Sequence, residues 1–245
     1  METPAWPSGV ARRILAETDS TNAEAARLAA AGATGPLWVM AERQTAGRGR
    51  QGRGWEMAPG NLAASFLTQF HGAPREAATS FVQAAGLAVA DLCAPAGEVS
   101  LKWPNDVLLN GRKVAGILIE NLGPGNGGAL TVITGIGVNL RHAPPVEAQR
   151  WPATSMAEEG AAPPSAEAAL TGLAIRLDHW LMSDPDTRHT AWRDRLHGIG
   201  QRIEARLPTT TLTGIFDGVD ADGTLVLRTS TGQRRIAAAD VFFAE

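Results

Sequence analysis

At 245 residues, 44% hydrophobic and 19% charged, the chain is long enough to bury one large core, with room for a small appended domain. Its net charge of -3, from 22 Lys and Arg against 25 Asp and Glu, argues against a protein whose main business is a polyanion. A single cysteine, Cys93, excludes an internal disulfide framework and fits a reducing compartment, and the 5 histidines are scattered without metal-ligand spacing.

The opening residues Met1-Glu2-Thr3-Pro4-Ala5-Trp6-Pro7 lack the basic-then-apolar pattern of a signal peptide, and no stretch reads as long and apolar enough to span a bilayer. The expectation is a soluble cytoplasmic protein. The first element is a helix in the run Asp19-Ser20-Thr21-Asn22-Ala23-Glu24. Thr21 stands three residues before Glu24, the spacing of a capping box, and an alanine-rich run to Ala31 ends at Gly32. Ser20, Thr21 and Asn22 either only cap this helix or also meet a polar ligand at its free N–H groups.

Residues 37–41 read as a short buried strand leading into Gly47-Arg48-Gly49-Arg50-Gln51-Gly52-Arg53-Gly54-Trp55. Glycine lets the backbone approach a ligand closely, and interleaved arginines supply planar forks of donors that match phosphate or carboxylate oxygens. The polar run from 42 to 61 exceeds an ordinary loop, so mobility without ligand is expected. A disordered Arg/Gly segment that binds nucleic acid nonspecifically is the competing reading. Trp55 and the acidic overall balance weigh against it.

A strand is expected over 61–70 and a helix over 76–92, where Phe81, Ala85, Val89 and Leu92 share one stripe. Apolar runs at 101–109 and 112–120 flank Asn110-Gly111, the strongest short hairpin signal. Strand alternation then puts Lys113 on a face with Ala115, Ile117 and Ile119, either reaching water or held over a ligand. In Lys102-Trp103-Pro104-Asn105-Asp106 the proline withholds an N–H from the ladder. Asp106 is either a turn residue or, in a nucleotide site, a carboxylate for magnesium. A third strand over 131–140 carries Gly135 and Gly137 on one face, the mark of a close approach. Ser165 caps a helix striped with Leu170, Leu173, Ala174, Leu177 and Leu181, and a short helix around Trp192 stops at Gly198. Short β-like runs then suggest a small all-β domain, giving two domains, 1–197 and 198–245.

The order of these motifs, Asp19-Ser20-Thr21-Asn22, Gln44 before GRGRQGRGW, KWPND at 102–106, GRKVAGIL at 111–118 and GIGVNL at 135–140, resembles the biotin protein ligases. The resemblance implies an α+β fold: a mixed β-sheet with helices on one side, like the class II synthetases, plus a small C-terminal SH3-like β-barrel. It implies ATP and biotin as substrates with Mg2+, biotinyl-5'-AMP as intermediate, and transfer of biotin to one lysine of a biotin carboxyl carrier protein domain of acetyl-CoA carboxylase or a related carboxylase.

By the same resemblance, Ser20, Thr21, Asn22 and Gln44 recognise biotin's polar ring, while Arg48, Gly49 and Arg50 close over biotin and the phosphates. Lys113 is similar to the lysine beside biotin's carboxylate, and with Arg48 it is the expected catalytic residue. Trp55 resembles the aromatic that packs near adenine. Lys102, Asn105, Asp106 and Asn139 resemble the nucleotide side, with Asp106 the expected Mg2+ contact. Too few residues precede Asp19 for the winged-helix repressor domain of some members, so no specific DNA binding and no membrane are expected. An edge strand could support a homodimer or carrier docking. The rival within the fold is a lipoate or octanoate ligase or transferase, which the GRGRxGRxW signature disfavours.

Overall fold

The computed structural model describes residues 5–124, 128–144 and 151–243. Seven strands form a mixed sheet: β1 (Ala11–Thr18), β2 (Leu37–Gln44), β3 (Leu62–Phe70), β4 (Val99–Lys102), β5 (Asp106–Leu109), β6 (Arg112–Pro124) and β7 (Leu130–Val138), in the order β1-β2-β3-β7-β6-β5-β4. Only β1 and β2 run parallel, as the intervening helix α1 (Thr21–Ala30) requires of a crossover. Sequence reading passes over β1, because Arg12, Arg13 and Glu17 leave this edge strand without an apolar alternation.

The sheet has two unequal faces. Trp38, Met40, Ala64, Ile117, Ile136 and Val138 point into the main core, where they pack with α2 (Pro74–Cys93), α3 (Ala166–Met182) and Trp192 of α4 (Pro185–Arg193). On the opposite face Val39, Leu67 and Ile133 pack with Ala25 of α1. Helices therefore cover both faces, a correction to the one-sided layer that the resemblance implied. The reason is α1 itself: its alanines are small enough to lie flat on β2, β3 and β7, and it leaves the rest of that face open.

Contrary to the membrane expectation, the segment Pro74–Ala96 is long and apolar enough to cross a bilayer by length and composition. It is instead the central core helix with its following turn, 67% buried in its most apolar window. Alanine-rich helices that pack between a sheet and another helix are apolar on all sides. The capping box also fails to form: Ser20 is the N-cap without a side-chain cap bond, Thr21 donates to Gln44 Oε1 at 3.1 Å, and Glu24 pairs with Arg27 at 2.8 Å. At α3 the expected cap is present, with Ser165 Oγ accepting from Ala168 N at 3.2 Å.

Beyond Gly198 a five-stranded antiparallel sheet follows, from β8 (Arg202–Arg206), β9 (Thr211–Val219), β10 (Leu225–Thr229), β11 (Gly232–Ile236) and β12 (Asp240–Phe243), in the order β11-β10-β9-β8-β12. It is consistent with an SH3-like barrel. His197, just before it, donates its N–H to Leu101 O of β4 at 2.9 Å, and the β9–β10 turn is tied to the larger unit by Trp103 Nε1 to Gly223 O at 3.1 Å and by Arg75 Nη2 of α2 to Thr224 Oγ1 at 2.6 Å.

Candidate active site

The open part of the α1 face holds a cavity of about 620 Å³, and every residue the sequence singled out lines it: Ser20, Thr21, Asn22, Gln44, Arg48, Gly49, Arg50, Trp55, Lys102, Asn105, Asp106, Lys113 and Asn139. Its floor is made by missing side chains. Leu118 pairs with Gly135 and Gly116 with Gly137 across β6 and β7. A Cβ on Gly135 would stand 2.2 Å from Asn22 Oδ1, and one on Gly137 would stand 2.3 Å from the Trp55 ring. Both distances lie far inside van der Waals contact, so the two glycines let Asn22 and the Trp55 indole reach the strand backbone.

At one end the polar start of α1 is braced from below. Gln44 Oε1 accepts from Thr21 N at 2.8 Å, and Ser65 Oγ lies 2.8 Å from Thr21 Oγ1 and 2.5 Å from Asn22 Oδ1. Thr21 and Asn22 are thereby fixed in orientation while still lining the cavity. Ser65, fully buried, was not anticipated. Its signal was a hydroxyl inside the otherwise apolar stretch Leu62–Leu67.

At the other end sits a cluster of cations. The Asn110-Gly111 turn has φ of 49° and 76°, the two positive values that a type I′ hairpin needs. Immediately after it a β-bulge intervenes: Val107 faces Ala115 but Leu108 faces Lys113, so Val114 is the extra residue. The bulge moves Lys113 off the face of Ala115 and Ile117, which are core residues, and onto the cavity face beside Gly116. Expected alternation is thus corrected by one residue. The Lys113 backbone is held by Pro152 O at 2.7 Å, and its Nζ lies 2.7 Å from Asp106 Oδ1 and 5.7 Å from the Trp55 ring centroid.

Lys102, Asn105 and Asp106 flank the reversal between β4 and β5, so the single run expected over 101–109 is in fact two strands. Lys102 is buried, 4.0 Å from Asp106 and 5.1 Å from the centroid of Trp151. Burial pushes its ammonium below the ordinary lysine value, with Asp106 opposing and Lys113 adding to the depression. Arg50 donates to Asn105 Oδ1 at 3.3 Å, and burial likewise pulls its guanidinium down. Cations held down by desolvation gain from an incoming anion. The lining carries five, Arg48, Arg50, Arg53, Lys102 and Lys113, against the carboxylates of Glu56, Asp106 and Asp240.

The arginine loop is folded rather than extended. Arg48 bridges Gly54, Trp55 N donates to Gly47 O at 2.9 Å, and Gln51 and Gly52 take φ of 56° and 73°. Arg53 fastens the loop to the second sheet through Asp240 at 2.5 Å. Arg48 itself is 3.4 Å from Glu120. Asn139 is buried, and its Nδ2 donates to Thr154 O at 3.0 Å. Its Oδ1 has no hydrogen-bond partner among the described residues, an acceptor suited to a ligand N–H. Trp151 and Asp240 were also missed by sequence reading. The first sits in an irregular Pro-rich connection, and the second belongs to a tail whose strands were read without reference to the cavity.

Asp106 does not head a metal cage. Its carboxylate is committed to Lys113 and lies near Lys102, and no group of three or more His, Cys, Asp or Glu among the described residues is placed to hold an ion. These residues do not fit a resident divalent cation.

Residues 14–139 match the biotin/lipoate A/B protein ligase family, and residues 198–244 match the biotin protein ligase C-terminal domain. The chain is 43% identical to a biotin–[acetyl-CoA-carboxylase] ligase of Paracoccus denitrificans, across 94% of this chain and 99% of that one. It is 36% identical to the enzyme of the same name from Mycobacterium tuberculosis, across 93% and 87%. Among solved structures it is similar to the biotin protein ligase of Aquifex aeolicus in complex with biotin and ATP, with a TM-score of 0.77 and 26% identity over 96% of this chain and 99% of that one. Matched along nearly its whole length and through both sheets, the chain belongs to the biotin/lipoate A/B protein ligase family, on the side of the biotin ligases.

Proposed function

We infer that the protein is an ATP-dependent biotin protein ligase that charges a carrier domain of acetyl-CoA carboxylase. The observation that carries this reading is the continuity of the cavity: an ordered amide and hydroxyl pocket at the start of α1 and a desolvated cation cluster at the β4–β6 end share one glycine floor.

In the first step an oxygen of the biotin carboxylate attacks the α-phosphorus of ATP, the bond to the β-phosphate breaks, and pyrophosphate leaves. Lys113, Lys102 and Arg50 stand where positive charge stabilises the oxyanions of that transfer. Asp106 holds the Lys113 ammonium in place until phosphate arrives. In the second step the carrier lysine amine attacks the acyl carbon, the bond to AMP breaks, and the amine proton is lost as the amide forms. The arginine loop shields the mixed anhydride from water between the steps. Asn139 Oδ1, buried with an unused acceptor, suits the amine of adenine. Magnesium belongs in this reading to the nucleotide, as MgATP. An ATP-consuming reaction and a buried Cys93, whose thiol burial pushes up to about 12, favour a cytoplasmic setting. The outer edge of β1 is the surface we propose for self-association.

Incubating the protein with ATP, biotin and a carrier domain of acetyl-CoA carboxylase tests the reading by intact mass. The expected product is a carrier heavier by one biotinyl group on one lysine. A carrier that stays unmodified at high enzyme concentration contradicts it.

A further inference from the structure

We propose that Glu120 is a positioning residue that sets the Asn22 amide and parks Arg48 until phosphate arrives; the inference rests on the ligase reading above. Glu120 lies on the cavity face of β6, opposite Ile133 of β7 and two residues beyond Leu118, but unlike Leu118 it does not line the cavity. Its side chain is 30% exposed.

Two cavity residues meet at its carboxylate. Asn22 Nδ2 donates to Oε2 at 2.6 Å, and Arg48 Nη2 lies 3.4 Å from the same oxygen. An ionised carboxylate only accepts, so it forces the Asn22 amide to point its NH2 outward to Glu120 and its Oδ1 to Ser65 Oγ at 2.5 Å. An Asn whose two ends are assigned by fixed partners presents one defined polar face to the acid. The hydrogen bond to Asn22 is short and charge-assisted. The contact to Arg48 is long, and Arg48 is 47% exposed, the kind of pair that contributes little and is readily exchanged. A phosphate, carrying more charge and a geometry that fits the guanidinium fork, outcompetes it. Arg48 therefore changes partner when the nucleotide enters, while Glu120 keeps Asn22 in place.

The two tasks separate by substitution. Glu120→Gln keeps an acceptor for Asn22 and removes the charge that holds Arg48; Glu120→Ala removes both. In biotin-dependent exchange of pyrophosphate into ATP, Glu120→Gln is expected to leave the KM for biotin within about twofold and to lower the KM for ATP. Glu120→Ala is expected to raise the KM for biotin about tenfold, as loss of a charge-assisted bond to a binding residue does, with kcat falling less. Thermal melts of both proteins report folding, and Glu120→Gln serves if the alanine variant is unfolded. If both variants shift the KM for biotin equally, or neither changes either KM, the inference is overturned while the ligase reading stands. If the unsubstituted protein gives no biotin-dependent exchange, the ligase reading fails and takes this inference with it.

Discussion

Lys113 Nζ meets Asp106 Oδ1 at 2.7 Å across the β5–β6 hairpin, and the contact exists because the Val114 bulge turns Lys113 toward the cavity. A strand-end lysine of this kind adds little to the core, and in the proposed reaction it neutralises the acyl and phosphoryl oxygens. Lys113→Ala is expected to reduce the pyrophosphate exchange rate by about 100-fold, the usual cost of removing one oxyanion-stabilising group. The urea midpoint should move only slightly. A large fall in the midpoint with exchange in proportion to folded protein points instead to a structural lysine.

Gly135 and Gly137 separate the two ends of the site. Gly135→Ala puts a methyl group against Asn22 Oδ1, and Gly137→Ala puts one against the Trp55 indole. Each substitution should cost about 1–3 kcal/mol of stability or displace its neighbour. Gly135→Ala is expected to raise the KM for biotin about tenfold or more with the KM for ATP nearly unchanged, because in the proposed reading Asn22 bonds the acid and not the nucleotide. Steady-state titration of each substrate checks this, and equal effects on both substrates contradict it.

The depressed Lys102 value fixes the sign of a pH effect. Burial lowers the pKa of the free protein's ammonium below 10.5, and a bound phosphate restores the charged form. Anion binding therefore takes up a proton, and affinity falls as pH rises through the folded value, earlier than an ordinary lysine would allow. The same depression makes the unfolded chain bind more protons in that window, so this group's contribution to stability rises with pH there. Calorimetric titration with pyrophosphate as pH is raised toward 10.5 should show weakening that Lys102→Arg flattens, since arginine stays charged. An affinity independent of pH over that range contradicts the assignment.

Arg53 and Asp240 join the arginine loop to the second sheet at 2.5 Å. Asp240→Asn is expected to make the loop more readily cut by trypsin after Arg48, Arg50 or Arg53, and to raise the KM for ATP severalfold. Unchanged cleavage would show that the loop's own backbone bonds suffice.

Much of this site was legible because its signals are local. Asn110-Gly111 demands positive φ whatever surrounds it, and Gly135 and Gly137 announce a close approach without saying of what. The arginines of 48–53 cannot be core. What escaped depends on neighbours distant in the chain. The Val114 bulge is decided by pairing with β5, so alternation put Lys113 on the wrong face. Thr21 looked like a cap because local spacing cannot show that its hydroxyl bonds Gln44, 23 residues away. In the Pro74–Ala96 segment the stripe of Phe81, Ala85, Val89 and Leu92 announces a packed face, but nothing in its own residues reveals α3 as a second covering. Glu120 and Ser65 are polar residues among apolar strand neighbours, and only packing shows that both hydrogen-bond Asn22.

The most direct measurement is exchange of labelled pyrophosphate into ATP with magnesium, run in parallel with biotin, lipoate and octanoate. The account predicts exchange with biotin and none above background with the other two acids. Exchange driven by lipoate or octanoate, or by no acid at all, would contradict it.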